Sequence, residues 1–203
     1  MRLPDPFTHP GRAPGFQTGR LIDNDPVVRD QLPNGRVTEV KMAAQYFGVE
    51  ISYPDLYESE YRLIESFILN SKRLGDYIDV MLPQYQRFTV GGTPNNTTIP
   101  AGLSGSVVTI NNATMLNGTP NLGDLFKLST HPKVYRIVSI NIAGGRWDLG
   151  VYPDLFITTN GTEKPVFSGI TIQTKMLNAD SFGVEMNADG IYQGLSLSLR
   201  EAL

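Results

Sequence analysis

The sequence predicts a mainly β chain of the α+β class. Its 203 residues include 20 Gly and 14 Pro spread along the chain, a composition that favours short strands joined by turns over a helical bundle. Several stretches place apolar residues at every second position, which is the pattern of half-buried strands. One stretch has clear helical spacing. The length suffices for one large domain, or for a domain with a smaller insertion, around a buried core.

The first 36 residues are unusually rich in proline, at positions 4, 6, 10, 14, 26 and 33. Proline fixes φ and removes a backbone donor, so we expect an extended, irregular N-terminal arm over residues 1–36. Phe7, Phe16 and Leu21 are its candidate interface residues. Two interpretations stay open: a solvated tail, or an arm that docks these side chains on a neighbouring subunit, since a solvated tail usually carries fewer aromatics. Deletion of residues 1–30 is expected to leave the rest folded but to impair assembly.

Residues 37–84 have the pattern strand, helix, strand. The stretch YFGVEISY predicts a strand with one apolar face, formed by Phe47, Val49, Ile51 and Tyr53. Asp55 with Glu58 three residues later predicts a capping box at the start of the helix. Gly75 is expected to end that helix, and YIDVMLP predicts the next strand.

A loop-rich stretch leads into a meander of short strands. GDLFKLSTHPKVYRIVS, residues 123–139, begins with a turn and breaks at His131-Pro132. The strand that follows has apolar residues on both faces, so it is expected to be central in its sheet. Strict alternation would place on one of its faces Val134, Arg136, Val138, Ile140 and Ile142. Such a meander is typical of a small barrel or sandwich.

The last stretch, LSLSLRE, alternates leucine with polar residues, which predicts a strand with one solvated face. We expect that polar face to carry Ser196, Ser198 and Glu201.

Composition argues against several classes of function. The net charge is -3 and the chain has no cysteine. Phosphate-driven nucleic-acid binding needs a clustered basic face, and disulfides or thiolate metal sites need cysteine. The N-terminus has no signal-peptide pattern, and no run approaches the roughly 18 apolar residues of a membrane helix. We therefore expect no nucleic-acid-specific binding, no membrane and no cofactor.

Residues suited to catalysis do not converge in the sequence. His9 lies in the arm and His131 at a turn, and neither has a second histidine at metal spacing. Asp124 follows Gly123 and is better explained by a hydrogen bond within its own turn. We expect no enzyme, and no catalytic, metal or cofactor-binding residues. An alternative is a sugar-binding shelf of Trp147 with Tyr135 and Tyr152, although core or interface packing is the commoner role of such residues.

The order of these motifs resembles that of bacteriophage tail structural proteins, in particular the distal tail and baseplate-hub proteins. The resemblance lies in a Gly-Asp strand start, a tyrosine-bearing strand and a strand ending in Pro-x-Leu. The matching positions are Gly123, Asp124, Phe126, Leu128, Tyr135, Trp147, Pro153 and Leu155.

The resemblance implies a tail-tube-like β-sandwich with one flanking α-helix, made from residues 37–90 plus 165–203. Residues 91–164 would form an inserted small β-barrel-like domain. The implied function is a non-enzymatic structural component of a tail tip or baseplate, which joins the tail tube to the hub or to peripheral tip proteins. A carbohydrate-binding β module of a virion or cell-surface assembly is the alternative.

The implied partners are copies of the chain in a symmetric ring, together with tail-tube and baseplate-hub proteins. The protein would be made in the cytoplasm of the bacterial host and reside in the virion. Sheet edges, with their unpaired N–H and C=O groups, suit such subunit contacts, and closed cyclic symmetry is their usual outcome.

Overall fold

A computed structural model describes residues 1–41, 45–85 and 90–203 of the protein. Residues 42–44 and 86–89, which fall within the expected 37–90 segment, lie outside the described residues. The chain is mainly β with a single helix among the described residues, α1 (Glu58–Leu74), which confirms the predicted class. No helix in this part of the chain is long and apolar enough to cross a membrane.

Sixteen strands follow one another along the described residues, several of them only two residues long. They are β1 (Thr18–Asn24), β2 (Val27–Gln31), β3 (Val37–Lys41), β4 (Tyr46–Ser52), β5 (Ile78–Val80), β6 (Gly91–Gly92), β7 (Val107–Ile110), β8 (Leu116–Asn117), β9 (Leu125–Leu128), β10 (Val134–Ala143), β11 (Arg146–Tyr152), β12 (Pro165–Val166), β13 (Ile172–Met176), β14 (Glu185–Met186), β15 (Tyr192–Gln193) and β16 (Ser196–Glu201).

The chain divides into two compact units, the first made of residues 1–80 and 173–202 and the second of residues 81–172. The first unit contains a five-stranded sheet in the order β1-β4-β16-β13-β5. β4 is antiparallel to both of its neighbours, β1 and β16. The first unit is therefore assembled from segments near both ends of the chain.

The predicted apolar face of β4 is confirmed, because Phe47, Val49, Ile51 and Tyr53 are all buried. The predicted polar face of β16 is wrong at one position. Glu201 is buried, and its carboxylate accepts a hydrogen bond of 2.9 Å from the backbone N–H of Phe47. Period two places residue 201 on the same face as Leu197 and Leu199, so the carboxylate needs this internal partner.

The helix α1 begins later than the sequence predicted. Its first turn is closed by Glu60, whose carboxylate accepts a 3.0 Å hydrogen bond from the N–H of Tyr57. Asp55 instead accepts a 2.9 Å hydrogen bond from the Gln193 side chain, so the expected Asp55–Glu58 box is wrong. Gly75 ends the helix with φ +66°, as predicted. The buried face of α1 carries Tyr61, Ile64, Ile68 and Ser71.

The proline-rich start of the chain contributes more to the first unit than the sequence indicated. Leu3 is buried, and its N–H donates a 2.9 Å hydrogen bond to the carbonyl of Asp79. β1 forms a full edge strand of the sheet, with Leu21 opposite Val49. Among the described residues, the next two strands, β2 and β3, pair with each other and with no other strand. Residues 1–36 thus contain regular strands as well as turns.

The second unit contains a five-stranded sheet in the order β12-β9-β10-β11-β7. β10 is its middle strand, as its two apolar faces predicted. The ladder between β10 and β11 shifts register between Ile137 and Ser139, and this bulge breaks the strict alternation assumed from sequence. Ile140 and Ile142 consequently share a face with Ile137 rather than with Val134. Among the described residues the sheet is not closed, since β12 and β7 are its two edges.

Candidate assembly surfaces

The most exposed regular element of the first unit is the hairpin formed by β2 and β3, named here the exposed hairpin. Every residue from Val28 to Val40 is exposed. Its turn is closed by two backbone hydrogen bonds, from Leu32 N–H to the Arg36 carbonyl at 2.9 Å and from Gly35 N–H to the Leu32 carbonyl at 2.8 Å. Gly35 has φ +79°, a conformation that favours glycine.

Apolar side chains of the exposed hairpin face solvent. Val28 lies opposite Val40, and these residues are 47% and 66% exposed. Val37 and Leu32 are exposed as well. An isolated two-stranded hairpin is marginally stable in water, and an exposed cluster of apolar side chains marks an interaction surface. The exposed hairpin is therefore the leading candidate for a subunit contact.

The three candidate interface residues of the arm lie in different environments. Phe7 is 62% exposed, on a turn whose N–H groups at Phe7 and Thr8 both donate to the Asp5 carboxylate at 2.9 Å. Phe16 packs edge-to-face on Tyr53 of the same chain, with ring centroids 5.5 Å apart. Leu21 is half-buried in β1. Docking on a neighbouring subunit stays a prediction, and Phe7 is the residue whose exposure favours it.

Gly123 and Asp124 form the turn that leads into β9. Gly123, at φ +87°, donates its N–H to the carbonyl of Ile137 at 2.7 Å. The Asp124 carboxylate accepts a 2.9 Å hydrogen bond from the N–H of Asn121. The predicted turn role of Asp124 is therefore confirmed.

The aromatic residues of the matching motif lie in the core of the second unit. Phe126 and Tyr135 are fully buried and Trp147 is only 5% exposed. Phe167 contacts two of them, with centroids 5.4 Å from Phe126 and 6.1 Å from Trp147. A sugar ring cannot stack on buried faces, so the sugar-binding shelf proposed for Trp147 and Tyr135 is wrong.

The last residues of the motif lie after β11. Tyr152, the third residue of that hypothetical shelf, is half-buried and precedes Pro153 through a cis peptide bond. Leu155 is half-buried and donates its N–H to the carbonyl of Gly105 at 2.8 Å. This pairing ties the segment after β11 to the loop before β7.

His131 belongs to a buried polar cluster in the second unit. Its Nδ1 lies 3.2 Å from the Tyr135 hydroxyl, which itself accepts a 3.1 Å hydrogen bond from the N–H of Phe156. Its Nε2 lies 3.8 Å from a Glu163 carboxylate oxygen, and both side chains are almost fully buried. The cluster holds the turn between β9 and β10 from the buried side.

Two backbone donors hold the Glu163 carboxylate, the N–H groups of Asn160 and Gly161, both at 2.8 Å. Burial raises the pKa of Glu163, but these donors and nearby His131 hold the pKa below its usual value. Burial lowers the pKa of His131, and Glu163 opposes that shift only in part. Sequence reasoning missed this pair, because no motif connects a turn histidine to a glutamate in a distant loop.

The carboxylate of Asp148, in β11, is engaged by neighbouring side chains. Asp148 accepts a 2.7 Å hydrogen bond from the Thr109 hydroxyl and a 2.9 Å bond from Arg146 Nε. These bonds lower the pKa of Asp148. Among residues 1–41, 45–85 and 90–203, no three His, Asp or Glu side chains are grouped so that they could hold a metal ion.

An exposed hairpin beside two well-packed β units is typical of a structural protein that functions by assembly. Comparisons with known proteins specify the class further. Family models for the distal tail protein pb9 match nearly the whole chain: the N-terminal part of its A domain at residues 3–85, its B domain at 86–170 and the C-terminal part of its A domain at 172–203.

A curated relative, the distal tail protein pb9 of Escherichia phage T5, is 55% identical over 204 residues and aligns along the full length of both chains. The chain therefore belongs to the distal tail protein pb9 family. It is a structural component of a bacteriophage tail, as the resemblance of its motifs implied.

Proposed function

We propose that copies of this chain form a closed symmetric ring in the tail, and that the ring joins the tail tube to the hub or to peripheral tip proteins without catalysing a reaction. The exposed hairpin supports this proposal most directly. Its apolar residues on both strands are suited to burial against a neighbouring copy. A heterologous contact of this kind closes into a ring when its rotation closes.

The charges of the exposed hairpin are compatible with burial of its valines against a neighbouring copy. Arg29 and Glu39 lie opposite each other and form an ion pair of 2.7 Å. Because this pair is satisfied within the hairpin, it does not require a charged partner on the neighbouring copy. Val28 and Val40 then supply apolar area, and the backbone edges of β2 and β3 supply hydrogen-bonding groups.

The proposal is tested by measuring the mass of the purified chain, alone and with tail-tube and hub proteins. We expect the wild-type chain to enter a symmetric ring when these partners are present. The double variant Val28→Lys, Val40→Lys should remain monomeric under the same conditions, because lysine ammoniums oppose burial of this face.

Leu74→Lys is the matched control, since Leu74 is 52% exposed on α1, outside the exposed hairpin. It adds one lysine, against two in the double variant, at a similar exposure and should leave the ring intact. A wild-type chain that stays monomeric with its tail partners would count against the ring. A double variant that still forms rings would count against the exposed hairpin as the contact.

The proposal that the chain is not an enzyme rests on its family and on where its histidines lie. His9 is exposed on a turn, with its Nδ1 3.1 Å from the Thr8 hydroxyl. His131 is closed within the core of the second unit. A zymogram with bacterial cell walls checks this proposal, and a clearing band at the mass of the purified chain would overturn it.

A further inference from the structure

We propose that Asn117, the last residue of β8, is a site of spontaneous deamidation in the folded protein. Asparagine is followed by glycine at residues 34–35, 117–118 and 160–161. The fold holds the reacting groups of the first and third of these Asn-Gly pairs in hydrogen bonds. Among the described residues it leaves those of the second pair unbonded. The modification concerns the second unit and does not depend on ring formation.

Deamidation is an intramolecular reaction of asparagine with the backbone of the next residue. The Gly118 nitrogen gives up its proton and attacks Cγ of Asn117, which forms a new C–N bond. The bond from Cγ to the side-chain nitrogen breaks, that nitrogen takes up a proton, and ammonia leaves behind a succinimide ring. Water then opens the ring at either carbonyl and yields aspartate or isoaspartate. Glycine favours the attack because it has no Cβ in the way.

A hydrogen bond from the backbone N–H of the glycine opposes the first step. The bonded N–H keeps its proton and its direction, and both must be given up before the nitrogen can attack. Breaking such a bond in a folded protein costs free energy, so a bonded Asn-Gly pair reacts more slowly than an unbonded one. A hydrogen-bonded side-chain oxygen has the same effect, since the amide must rotate towards the nitrogen.

The pair Asn34–Gly35 is restrained although it is exposed at the tip of the exposed hairpin. The N–H of Gly35 donates a 2.8 Å hydrogen bond to the carbonyl of Leu32. The side-chain oxygen of Asn34 accepts a 3.0 Å hydrogen bond from the N–H of Arg36. Both reacting groups are therefore held in the turn, and we expect deamidation of Asn34 to be slow.

The pair Asn160–Gly161 is restrained more strongly. The N–H of Gly161 donates a 2.8 Å hydrogen bond to the Glu163 carboxylate, and a negative charge beside an N–H further disfavours loss of its proton. The side-chain oxygen of Asn160 accepts hydrogen bonds from the N–H and the hydroxyl of Thr162, at 2.9 Å and 2.6 Å. Deamidation of Asn160 is therefore expected to be slow as well.

Asn117 and Gly118 lack both kinds of restraint. Both residues are exposed, and among the described residues no hydrogen bond holds the Gly118 N–H or the Asn117 side chain. Asn117 lies opposite Gly91 in the short ladder of β6 and β8, and Gly118 lies outside that ladder. Its φ of +80° would strain any residue with a side chain. The nucleophile and the carbon that it attacks are therefore free to meet.

The products change the charge and the backbone at this position. Either product adds a carboxylate to a chain whose net charge is -3. In isoaspartate the backbone also runs through Cβ, so the turn that follows β8 must shift. The five-stranded sheet of the second unit does not include residue 117, so the change stays local. Because the protein of an assembled tail is not replaced, the modified fraction should rise with the age of the particle.

Peptide mapping by mass spectrometry measures the reaction at each pair in the folded, full-length chain. Incubation at about pH 9 and about 37 °C promotes loss of the glycine proton, and each deamidation raises the peptide mass by about 1 Da because OH replaces NH2. We expect Asn117 to react at least about tenfold faster than Asn34 or Asn160. Similar rates at the three residues, or a faster reaction at Asn34 or Asn160, would overturn the proposal.

The unfolded chain is the control for the effect of the fold. In concentrated guanidinium chloride the three pairs should react at rates within about threefold of one another, because none keeps the hydrogen bonds of the folded state. If the preference for Asn117 persisted unchanged in the unfolded chain, it would come from the neighbouring residues in the sequence, and the proposal would be wrong.

Hydrogen exchange tests the structural cause directly. The amide of Gly118 should exchange at least about tenfold faster than the amides of Gly35 and Gly161 in the folded chain. Slow exchange at Gly118 would overturn the proposal, because its nitrogen would then be bonded.

The variant Asn117→Gln tests the assignment to this residue. Glutamine would need a larger ring, so the variant should lose the mass change of this peptide, and its melting temperature should match that of the wild type because the side chain is exposed. A mass change that remains in the variant peptide would place the reaction at another residue and overturn the assignment.

Discussion

Two antiparallel hairpins of this protein have similar local geometry and opposite environments. The exposed hairpin, β2–β3, has solvent on both faces from Val28 to Val40. The hairpin of β9 and β10 has both faces buried near its turn, where Phe126, Val134 and Tyr135 are fully buried. One hairpin is packed into the core of its unit, and the other presents the surface that we propose for assembly.

The difference lies in which residues separate the apolar ones. In the exposed hairpin the intervening positions carry charge, and Arg29 pairs with Glu39 across the strands. Neither face can enter a core without burying a charge, which is costly. In β9–β10 the face that includes Phe126 and Tyr135 carries no charge and is buried in the core, whereas Lys127 and Arg136 lie half-buried on the other face. Alternation thus predicts a strand, whereas the intervening residues decide whether it is buried.

The largest expected effect follows from removing the start of the chain. Deletion of residues 1–30 removes β1 and Leu3, so we now expect the first unit to lose cooperative folding. Thermal unfolding followed by circular dichroism measures this. The matched variant replaces residues 28–40 with a short Gly-Ser linker, and its melting temperature should stay close to that of the wild type. An intact transition after the deletion would show that β1 is dispensable.

A core substitution in β9 should have the next largest effect. Phe126→Ala removes a fully buried ring from the second unit and should lower the free energy of unfolding by about 3–5 kcal/mol. Val40→Ala in the exposed hairpin should change it by less than about 0.5 kcal/mol. Chemical denaturation of both variants gives the two values. Equal losses would mean that the exposed hairpin is packed within the chain.

The buried cluster of His131 and Glu163 near the β9–β10 turn predicts that the protein is less stable at acid pH. Because the folded pKa of His131 is lowered, the unfolded state binds protons more readily, so stability falls as pH drops below the ordinary histidine pKa of about 6.5. The lowered pKa of Glu163 adds a further loss as pH falls through the carboxylate range.

Melting temperatures between pH 7.5 and 5 test the histidine component. The wild-type value should fall by a few degrees, which corresponds to a loss of about 1 kcal/mol, and His131→Gln should flatten this dependence between pH 6.5 and 5. His9→Gln is the control, since His9 is exposed. An unchanged slope in His131→Gln would rule out His131 as its source.

The smallest effect is expected within the exposed hairpin. The Arg29–Glu39 pair is solvent-exposed on both sides, and such pairs contribute about 0–1 kcal/mol. Arg29→Ala should therefore leave the denaturation midpoint almost unchanged. A loss well above 1 kcal/mol would indicate that this hairpin is held by contacts within its own chain.

The sequence predicted the elements whose pattern is local. Alternation was sufficient for the buried face of β4, and the Gly123-Asp124 pair was sufficient for the turn before β9. It was not sufficient for β1, because proline density suggested irregular structure although Thr18–Asn24 itself contains no proline. A proline-rich segment can include a regular strand between its prolines.

The candidate sites could not be predicted in the same way, because they depend on contacts between residues that are far apart in the sequence. The bulge at Val138 places Ile140 and Ile142 on the core side, and a bulge has no simple sequence signal here. The His131–Glu163 pair depends on where two loops distant in sequence meet. The β2–β3 hairpin is likewise exposed because no other described segment packs on it. Alternation alone does not indicate this.

Because the first unit is built from two segments distant in sequence, the two units can fold at different times during synthesis of the chain. β4 lies between β1 and β16, so its sheet lacks a central neighbour until residues 196–201 have left the ribosome. Residues 81–172 form a contiguous unit and can fold earlier, since domains generally fold as units during translation. A prematurely terminated chain would therefore contain a complete second unit and a first unit whose main sheet lacks β16.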